Sequence, residues 1–472
     1  MSITMRGGEQ PFLDLPPVTG EPGRHRTARR RAASYRAVFA IREFRALWLA
    51  QVVSYLGDQI AQVAIAVLVY AKTGSPELTA LAYALTYLPP ILGGPLLAGL
   101  MNTFPRRQVM ITLDLVRGGL VELMALPSVP LAGTCALLFV TVLLGAPFSA
   151  ARSAMLPQIL PRERLALGSA LGNMTFQTSQ VAGFLVGGIL VATLGAYRSL
   201  ALDALSFCLS AALITGWVRP RPYSVEEPAR PLLQTLTRNV ALIFRRPAAR
   251  TLVLFGWLAG FTVVPEGLAA PYAHTLGGGA LTAGLLMCAM PAGTVAAILV
   301  IGRLSRPDER LKMISALSVL SCAPLVACLL RPPLSLLLVL FVLAGAGGSY
   351  QLAAARAFVQ AMPNGQRGRA FGVAQSGLLT AQSLGILIAG AAARWLSPPD
   401  VVAIAGALGV IAAAVLAAEW ARHRSLLDAP ARERGGPAAA AGTASPDRRA
   451  SGAGEACNNA AERRPPITRP RR

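Results

Sequence analysis

Charge is scarce in this chain. Only 14% of its 472 residues are charged while 54% are hydrophobic, which leaves too little polar surface to cover a soluble protein of this length. Lysine is nearly absent, with Lys72 and Lys312 as the two instances, a bias that points to base composition of the coding sequence more than to chemistry. Histidine is confined to His25, His274 and His423, too scattered for a metal site. Of the six cysteines, Cys135, Cys208, Cys288, Cys322 and Cys328 fall in apolar stretches and Cys457 near the end. None has metal-ligand spacing and no disulfide framework is suggested, so no metal or cofactor is expected. The first 36 residues contain no apolar core; no cleavable signal peptide is expected, and the first helix enters from the cytosol.

The formal net charge of +22 raises nucleic-acid binding as a reading. Its distribution argues otherwise. The arginines gather in the two tails and in alternate short loops, and no basic stripe interleaves with aromatics, so no nucleic-acid partner is expected.

Apolar sequence is what the chain has in quantity. Crossing a bilayer takes about 20 apolar residues in a helix. Twelve such runs occur, at 47–70, 78–101, 109–127, 131–149, 165–194, 200–217, 252–272, 281–301, 313–330, 334–352, 371–393 and 401–420. Loops after even-numbered runs carry Arg106 and Arg107, then Arg152, Arg162 and Arg164, a cluster from Arg219 to Arg250, Arg303 to Lys312, and Arg356, Arg367 and Arg369. The opposite loops hold only Lys72, Arg198, Arg331 and Arg394. By the positive-inside rule both termini lie in the cytosol of a multi-pass cell-membrane protein.

The chain also reads twice. Tyr70-Ala71-Lys72-Thr73 before Leu78-Thr79-Ala80 returns as Tyr272-Ala273-His274-Thr275 before Leu281-Thr282-Ala283. Arg152 and the pair Arg162/Arg164 return as Arg356 and Arg367/Arg369. The expected fold class is an all-α membrane protein with twelve transmembrane helices in two pseudo-symmetric six-helix halves. Its parts are a basic N-terminal tail (1–43), a first half (44–217), a connector (218–249), a second half (250–422) and a C-terminal tail (423–472) expected to be disordered. In the connector, Leu232, Leu233, Leu236, Val240, Ile243 and Phe244 share one helical face, which predicts an amphipathic helix on the cytosolic membrane surface. Parallel repeats of this size are one architecture of secondary transporters, with the solute site where the halves meet.

Ionisable groups inside a bilayer cost several kcal/mol unless they face a wet cavity or a partner, so each marks a candidate site. Asp58 falls midway along the first run; Glu266, in the seventh, follows Pro265, which bends a helix by removing a backbone hydrogen bond. Both are proton-coupling candidates, because an acid that sees water from alternate sides can be loaded on one side and discharged on the other. Asp114 and Arg117 are i,i+3 neighbours in the third run and are expected to form an intramembrane ion pair. Glu122 lies further along the same run with no evident partner and is a cavity candidate, and Asp203 is expected to cap or anchor its helix near the outer surface. Tyr55, Tyr83, Tyr87, Trp257 and Tyr272 are cavity candidates or, equally, interfacial anchors.

Phe44-Arg-Ala-Leu-Trp-Leu-Ala-Gln-Val-Val-Ser-Tyr-Leu-Gly-Asp58 resembles the first span of the major facilitator superfamily, closest to its drug- and siderophore-exporter branch with macrolide-efflux-like members. Residues Gly99 to Arg107 occupy the place of the superfamily's loop signature between spans two and three. Arg106 and Arg107 match its paired basic residues, whereas Asn102 stands where the pattern has an acid and Thr103 where it has an arginine. Gly183-Phe184-Leu185-Val186-Gly187-Gly188 resembles the exporters' Gly-Pro-x-x-Gly-Gly signature with phenylalanine for proline; close helix packing alone also accounts for such glycines. Arg367-Gly368-Arg369-Ala370-Phe371-Gly372 is similar to the family's loop before span eleven.

The resemblance implies the major facilitator fold and a proton-coupled exporter of hydrophobic or amphipathic small molecules, working by alternating access as a monomer. An importer of a small metabolite on the same fold is the first rival. A polytopic membrane enzyme would need a cluster of catalytic acids, histidines or metal ligands at one face, which the chain does not show. A non-transporting sensor is the remaining alternative.

Overall fold

The computed structural model describes residues 35–96, 104–221, 240–304, 307–363 and 366–433, and among these there is no strand. The first half comprises α1 (Tyr35–Phe39), α2 (Arg42–Thr73), α3 (Pro76–Ala84), α4 (Pro89–Leu96), α5 (Arg106–Met124), α6 (Leu131–Ile159), α7 (Arg162–Leu194) and α8 (Ala196–Trp217). The second comprises α9 (Pro247–Trp257), α10 (Ala259–Thr262), α11 (Val264–Gly267), α12 (Ala269–Thr275), α13 (Ala280–Leu304), α14 (Pro307–Val326), α15 (Leu334–Gly348), α16 (Tyr350–Ala361), α17 (Arg367–Ala392) and α18 (Pro398–Glu433). Residues 425–433, the end of α18, group apart from the rest of the described chain.

Ten helical segments among the described residues are long and apolar enough to cross a membrane. The second and third of the twelve predicted runs are not among them, for physical reasons. The second breaks between α3 and α4, where Pro89 and Pro90 cannot donate the backbone bonds that would continue α3, and residues 97–101 lie outside the described set. The third, α5, carries Arg106, Arg107, Asp114, Arg117 and Glu122, which lowers its mean hydropathy.

The two copies of the repeat end alike. Thr73 donates to the Val69 carbonyl at 2.7 Å and Thr275 to the Tyr272 carbonyl at 2.7 Å. The chain then turns at Gly74 (φ 61°) and Gly277 (φ 70°), where the left-handed conformation ends a helix and only glycine adopts it without strain. The two ends meet, for the Tyr70 and His274 rings lie edge to face at 5.4 Å.

Core packing shows how the halves are joined. At the Gly74 end one apolar core draws on both halves, with Val69, Ala80 and Phe184 from the first and Leu268, Met287 and Ile386 from the second. At the opposite end, where α5 begins at Arg106, the cores are separate. Ala46, Met110, Phe148 and Ile214 belong to the first half alone, and Leu252, Phe255, Phe358 and Trp420 to the second alone. The face of α7 that is buried at Gly188 and Phe184 continues through half-buried Gln180 and Gln177 to exposed Asn173. The halves are therefore sealed at the Gly74 end and part toward the other.

Glycine permits the seal. Gly188 on α7 faces Gly284 on α13, and a Cβ on Gly284 would sit 2.7 Å from the Gly188 Cα and 2.7 Å from the Phe184 carbonyl oxygen. Backbone cannot yield as a side chain can, so Gly284→Ala should wedge the seam and cost about 1–3 kcal/mol in the sealed state. A longer mean separation of spin labels at positions 70 and 274 is the expected readout; an unchanged distribution would refute the wedge.

Of the predicted amphipathic connector helix, only its end is described. Residues 240–244 are helical. Ile243 is buried in the second half's core, and Phe244 packs on Trp257 with ring centroids 6.1 Å apart. That end of the connector is thus packed on protein, because its apolar face finds a ready apolar groove beside α9.

Candidate functional site

Two buried polar centres lie within the helices, one at the seam and one inside the first half. At the seam, Glu266 Oε2 accepts hydrogen bonds from the Tyr83 hydroxyl at 2.9 Å and the Tyr87 hydroxyl at 3.3 Å. Carboxylate and phenols thus come from opposite halves. Tyr83 lies in the last turn of α3 and Tyr87 follows in the turn before Pro89, one helical turn apart, so both rings reach the same point, 5.9 Å from each other. The seventh run is broken into α9 to α12 around Glu266. Pro265 removes the donor that would bind the Phe261 carbonyl, and the Glu266 amide instead bonds Val263 in a tighter turn at 3.0 Å. Oε1 takes no hydrogen bond among the described residues, which leaves one face of the carboxyl group open.

The second centre corrects an expectation. Arg117 forms its ion pair with Asp58, at 3.0 Å, instead of with Asp114. Its Nε donates to the Thr141 carbonyl at 3.2 Å, and its guanidinium lies 4.3 Å from the centre of the Phe207 ring. Asp114 instead accepts from the Ser210 hydroxyl at 2.6 Å, and its other oxygen is buried without a partner. An i,i+3 spacing brings two side chains to one face but does not choose between neighbours; α2 offers Arg117 a better-placed carboxylate than its own helix does. Asp203 departs from its expected place as well. It is buried against α2 beside Gly57, where its carboxylate accepts from Ser206 at 3.1 Å. Three carboxyl groups and one guanidinium therefore lie in the interior of the first half, and Asp58 is the one that pairs with the guanidinium.

The other predicted residues are distributed around these centres. Gly183 and Gly187 pack α7 onto α2, against Gln59 and Ile60, whereas Gly188 packs across the seam. Tyr55 stacks edge to face on Phe176 at 5.2 Å. Tyr272 is buried against Phe341. Trp257 donates to the Ala374 carbonyl at 3.3 Å and packs between α9 and α17 against the second half's own core, away from the seam that holds Glu266. Glu122, a cavity candidate from the sequence, lies on the exposed face of α5 and is not brought together with Glu266 or its tyrosines. Arg106 donates to the Ala154 carbonyl at 3.0 Å and Arg107 to the Thr215 carbonyl at 2.7 Å, tying the start of α5 to α6 and α8. Asn102 lies outside the described residues.

Sequence reasoning missed the pairing of Tyr83 and Tyr87 on one acid, although their i,i+4 spacing just before a double proline was a usable signal. It also missed the ion pair between Glu77 and Arg394, which joins the halves at the sealed end. Arg394 is 58% exposed there. Solvent screens such a pair, so Arg394→Ala should shift unfolding by less than about 1 kcal/mol in thermal denaturation.

The family described as "transmembrane secretion effector" matches residues 33–435. The chain belongs to this family of major facilitator superfamily transporters. The transporter is 28% identical over 189 residues to the MFS-type transporter YkuC of Bacillus subtilis, covering 39% of this chain and 44% of that one. It is 23% identical over 228 residues to macrolide efflux protein A of Streptococcus pyogenes, covering 47% and 56%. These two alignments span only about half of each relative's length. Over 354 residues it is 28% identical to the multidrug efflux pump Tap of Mycolicibacterium fortuitum, covering 71% and 85%. In solved structures its fold is similar to that of the nucleoside transporter NupG (D323A mutant), with TM-score 0.66, 9% identity, and 80% and 100% coverage. It is similar also to a D-xylose–proton symporter, with TM-score 0.60, 15% identity, and 81% and 97% coverage. Family and fold are those of multi-pass membrane transporters, not of enzymes.

Proposed function

We propose that this transporter is a proton-coupled exporter of hydrophobic or amphipathic small molecules, working as a monomer with both termini in the cytosol. The observation that carries the proposal is the Glu266 carboxyl group held at the seam by two tyrosines of the other half. The arginine-rich loops assign the parted end of the bundle to the cytosol, so the sealed Gly74 end faces outward. Hydrogen bonds to an ionised carboxylate are about twice as strong as neutral ones, so the empty, ionised carrier is latched shut outside. A proton on Glu266 weakens both bonds, and cargo that engages the carboxyl group competes for them. Only the loaded carrier then reorients, which is what exchanging a proton for cargo demands. Homology to efflux proteins supports the direction. The mostly apolar seam, with Gln180, Gln177 and Asn173 along one wall, suits amphipathic cargo.

Everted membrane vesicles with an imposed proton gradient test the reading. Amphiphiles that are cargo should dissipate the gradient in vesicles containing the transporter and accumulate inside them. Accumulation that proceeds equally well after the gradient is collapsed by a protonophore would exclude proton coupling.

A further inference from the structure

At the parted end, the beginnings of α2 and α5 and the end of α8 border a cleft of about 530 Å³, lined by Arg42, Glu43, Arg107, Trp217 and Arg219 among others. Glu43 accepts from Arg221 at 2.7 Å and lies 3.7 Å from Arg219. Three guanidinium groups, of Arg42, Arg107 and Arg219, therefore line the cleft with one carboxylate, a lining charge of 3 − 1 = +2, while Arg221, outside the lining, pairs with Glu43. Their donors are not all used. Arg107 spends one amino group on the Thr215 carbonyl, yet its Nε is buried with no hydrogen-bond partner, as is Nη1 of Arg221. A buried N–H without an acceptor leaves its desolvation uncompensated, and an anion bearing several oxygens is what a guanidinium fork matches best.

We propose that this cleft binds the headgroup phosphate of an anionic membrane lipid. The shared chemistry is that of any phosphate, but the surroundings favour a lipid. Three membrane helices begin or end at the cleft, placing it at the level where a spanning helix meets lipid headgroups. Trp217, on its edge, is 58% exposed, as interfacial tryptophans are. Half-buried Ile41 adds to the apolar edge beside Trp217 on which acyl chains can lie. Basic pockets between transmembrane helices on the cytosolic side hold anionic headgroups in this way. The site involves neither the seam nor Glu266, and so does not depend on which cargo moves or in which direction.

The test counts lipids bound to the purified full-length transporter by native mass spectrometry, with phosphatidylglycerol or phosphatidylcholine added to the detergent. Phosphatidylglycerol should be retained preferentially, and Arg42→Ala/Arg219→Ala should weaken its binding roughly tenfold to thirtyfold. Arg107→Gln, which keeps a side chain of similar length, should also weaken it. Arg303→Ala/Arg369→Ala removes the same charge from the other half, where both arginines are exposed, and should leave retention unchanged. Equal loss in both double variants would overturn the site in favour of diffuse attraction. Displacement of the lipid by millimolar inorganic phosphate would overturn the lipid assignment and leave a soluble-anion site.

Discussion

Glu266→Gln is expected to abolish uphill, gradient-driven transport while downhill movement of cargo persists. Glutamine keeps the size of the side chain and an oxygen that can accept from Tyr83 or Tyr87, but it carries no charge and exchanges no proton. A hydrogen bond to a charged group contributes about 1.5–3 kcal/mol against 0.5–1.5 for a neutral one. Losing the charge from both bonds removes about 2–3 kcal/mol from the latch. At 1.4 kcal/mol per factor of ten, the ratio of sealed to open carrier should fall roughly 30- to 150-fold. Spin labels at positions 70 and 274 report that population directly. The tyrosine variants separate latch from proton carrier. Tyr83→Phe and Tyr87→Phe retain the titratable acid, so they should still exchange protons for cargo but leak protons without cargo. The leak should be greater for Tyr83→Phe, whose bond is shorter at 2.9 Å against 3.3 Å. A Glu266→Gln transporter that concentrates cargo as well as wild type does would rule out this acid as the coupling group.

Arg117→Met should destabilise the first half more than any other single change discussed. It removes the cation from among Asp58, Asp114 and Asp203 while keeping the aliphatic stem on Phe207. Breaking a buried ion pair typically costs about 3–5 kcal/mol, because a charge is left uncompensated away from water. The Asp58 side chain is 28% exposed and that of Arg117 7%, so the lower end of that range is expected. Asp58→Asn in the same background should restore part of the loss, since the orphaned carboxylate is then gone. A double-mutant cycle on thermal unfolding measures this, and the two changes should be non-additive by about 1–3 kcal/mol. Strict additivity would mean that Asp58 and Arg117 do not depend on each other, and the charge cluster would then be an accident of packing.

Membrane class, the repeat and the broken seventh helix are legible along the chain itself. Each depends on local properties: run length against bilayer thickness, the recurrence of Tyr70-Ala-Lys-Thr73 as Tyr272-Ala-His-Thr275, and the missing N–H of Pro265. The acids at positions 58 and 266 are legible too, because charge in an apolar run is conspicuous whatever surrounds it. Partners are not. Arg117 can reach Asp114 on its own helix, and nothing along the chain reveals that α2 presents Asp58 closer. Trp257 and Glu122 show the same limit, for an aromatic or an acid in a span can face cavity, lipid or a neighbouring helix with the same sequence around it.

The amino-acid order alone therefore determined that this protein crosses the membrane, is built twice over, and carries acids where burying them is costly. Tertiary structure decided which half holds each acid's partners, which end of the bundle is sealed, and where unpaired guanidinium groups converge. The physical reason is range. Hydropathy, helix breaking and charge placement act over a few residues of chain, whereas a hydrogen bond such as that from Tyr83 to Glu266, 183 residues apart, forms only where packing brings two helices together.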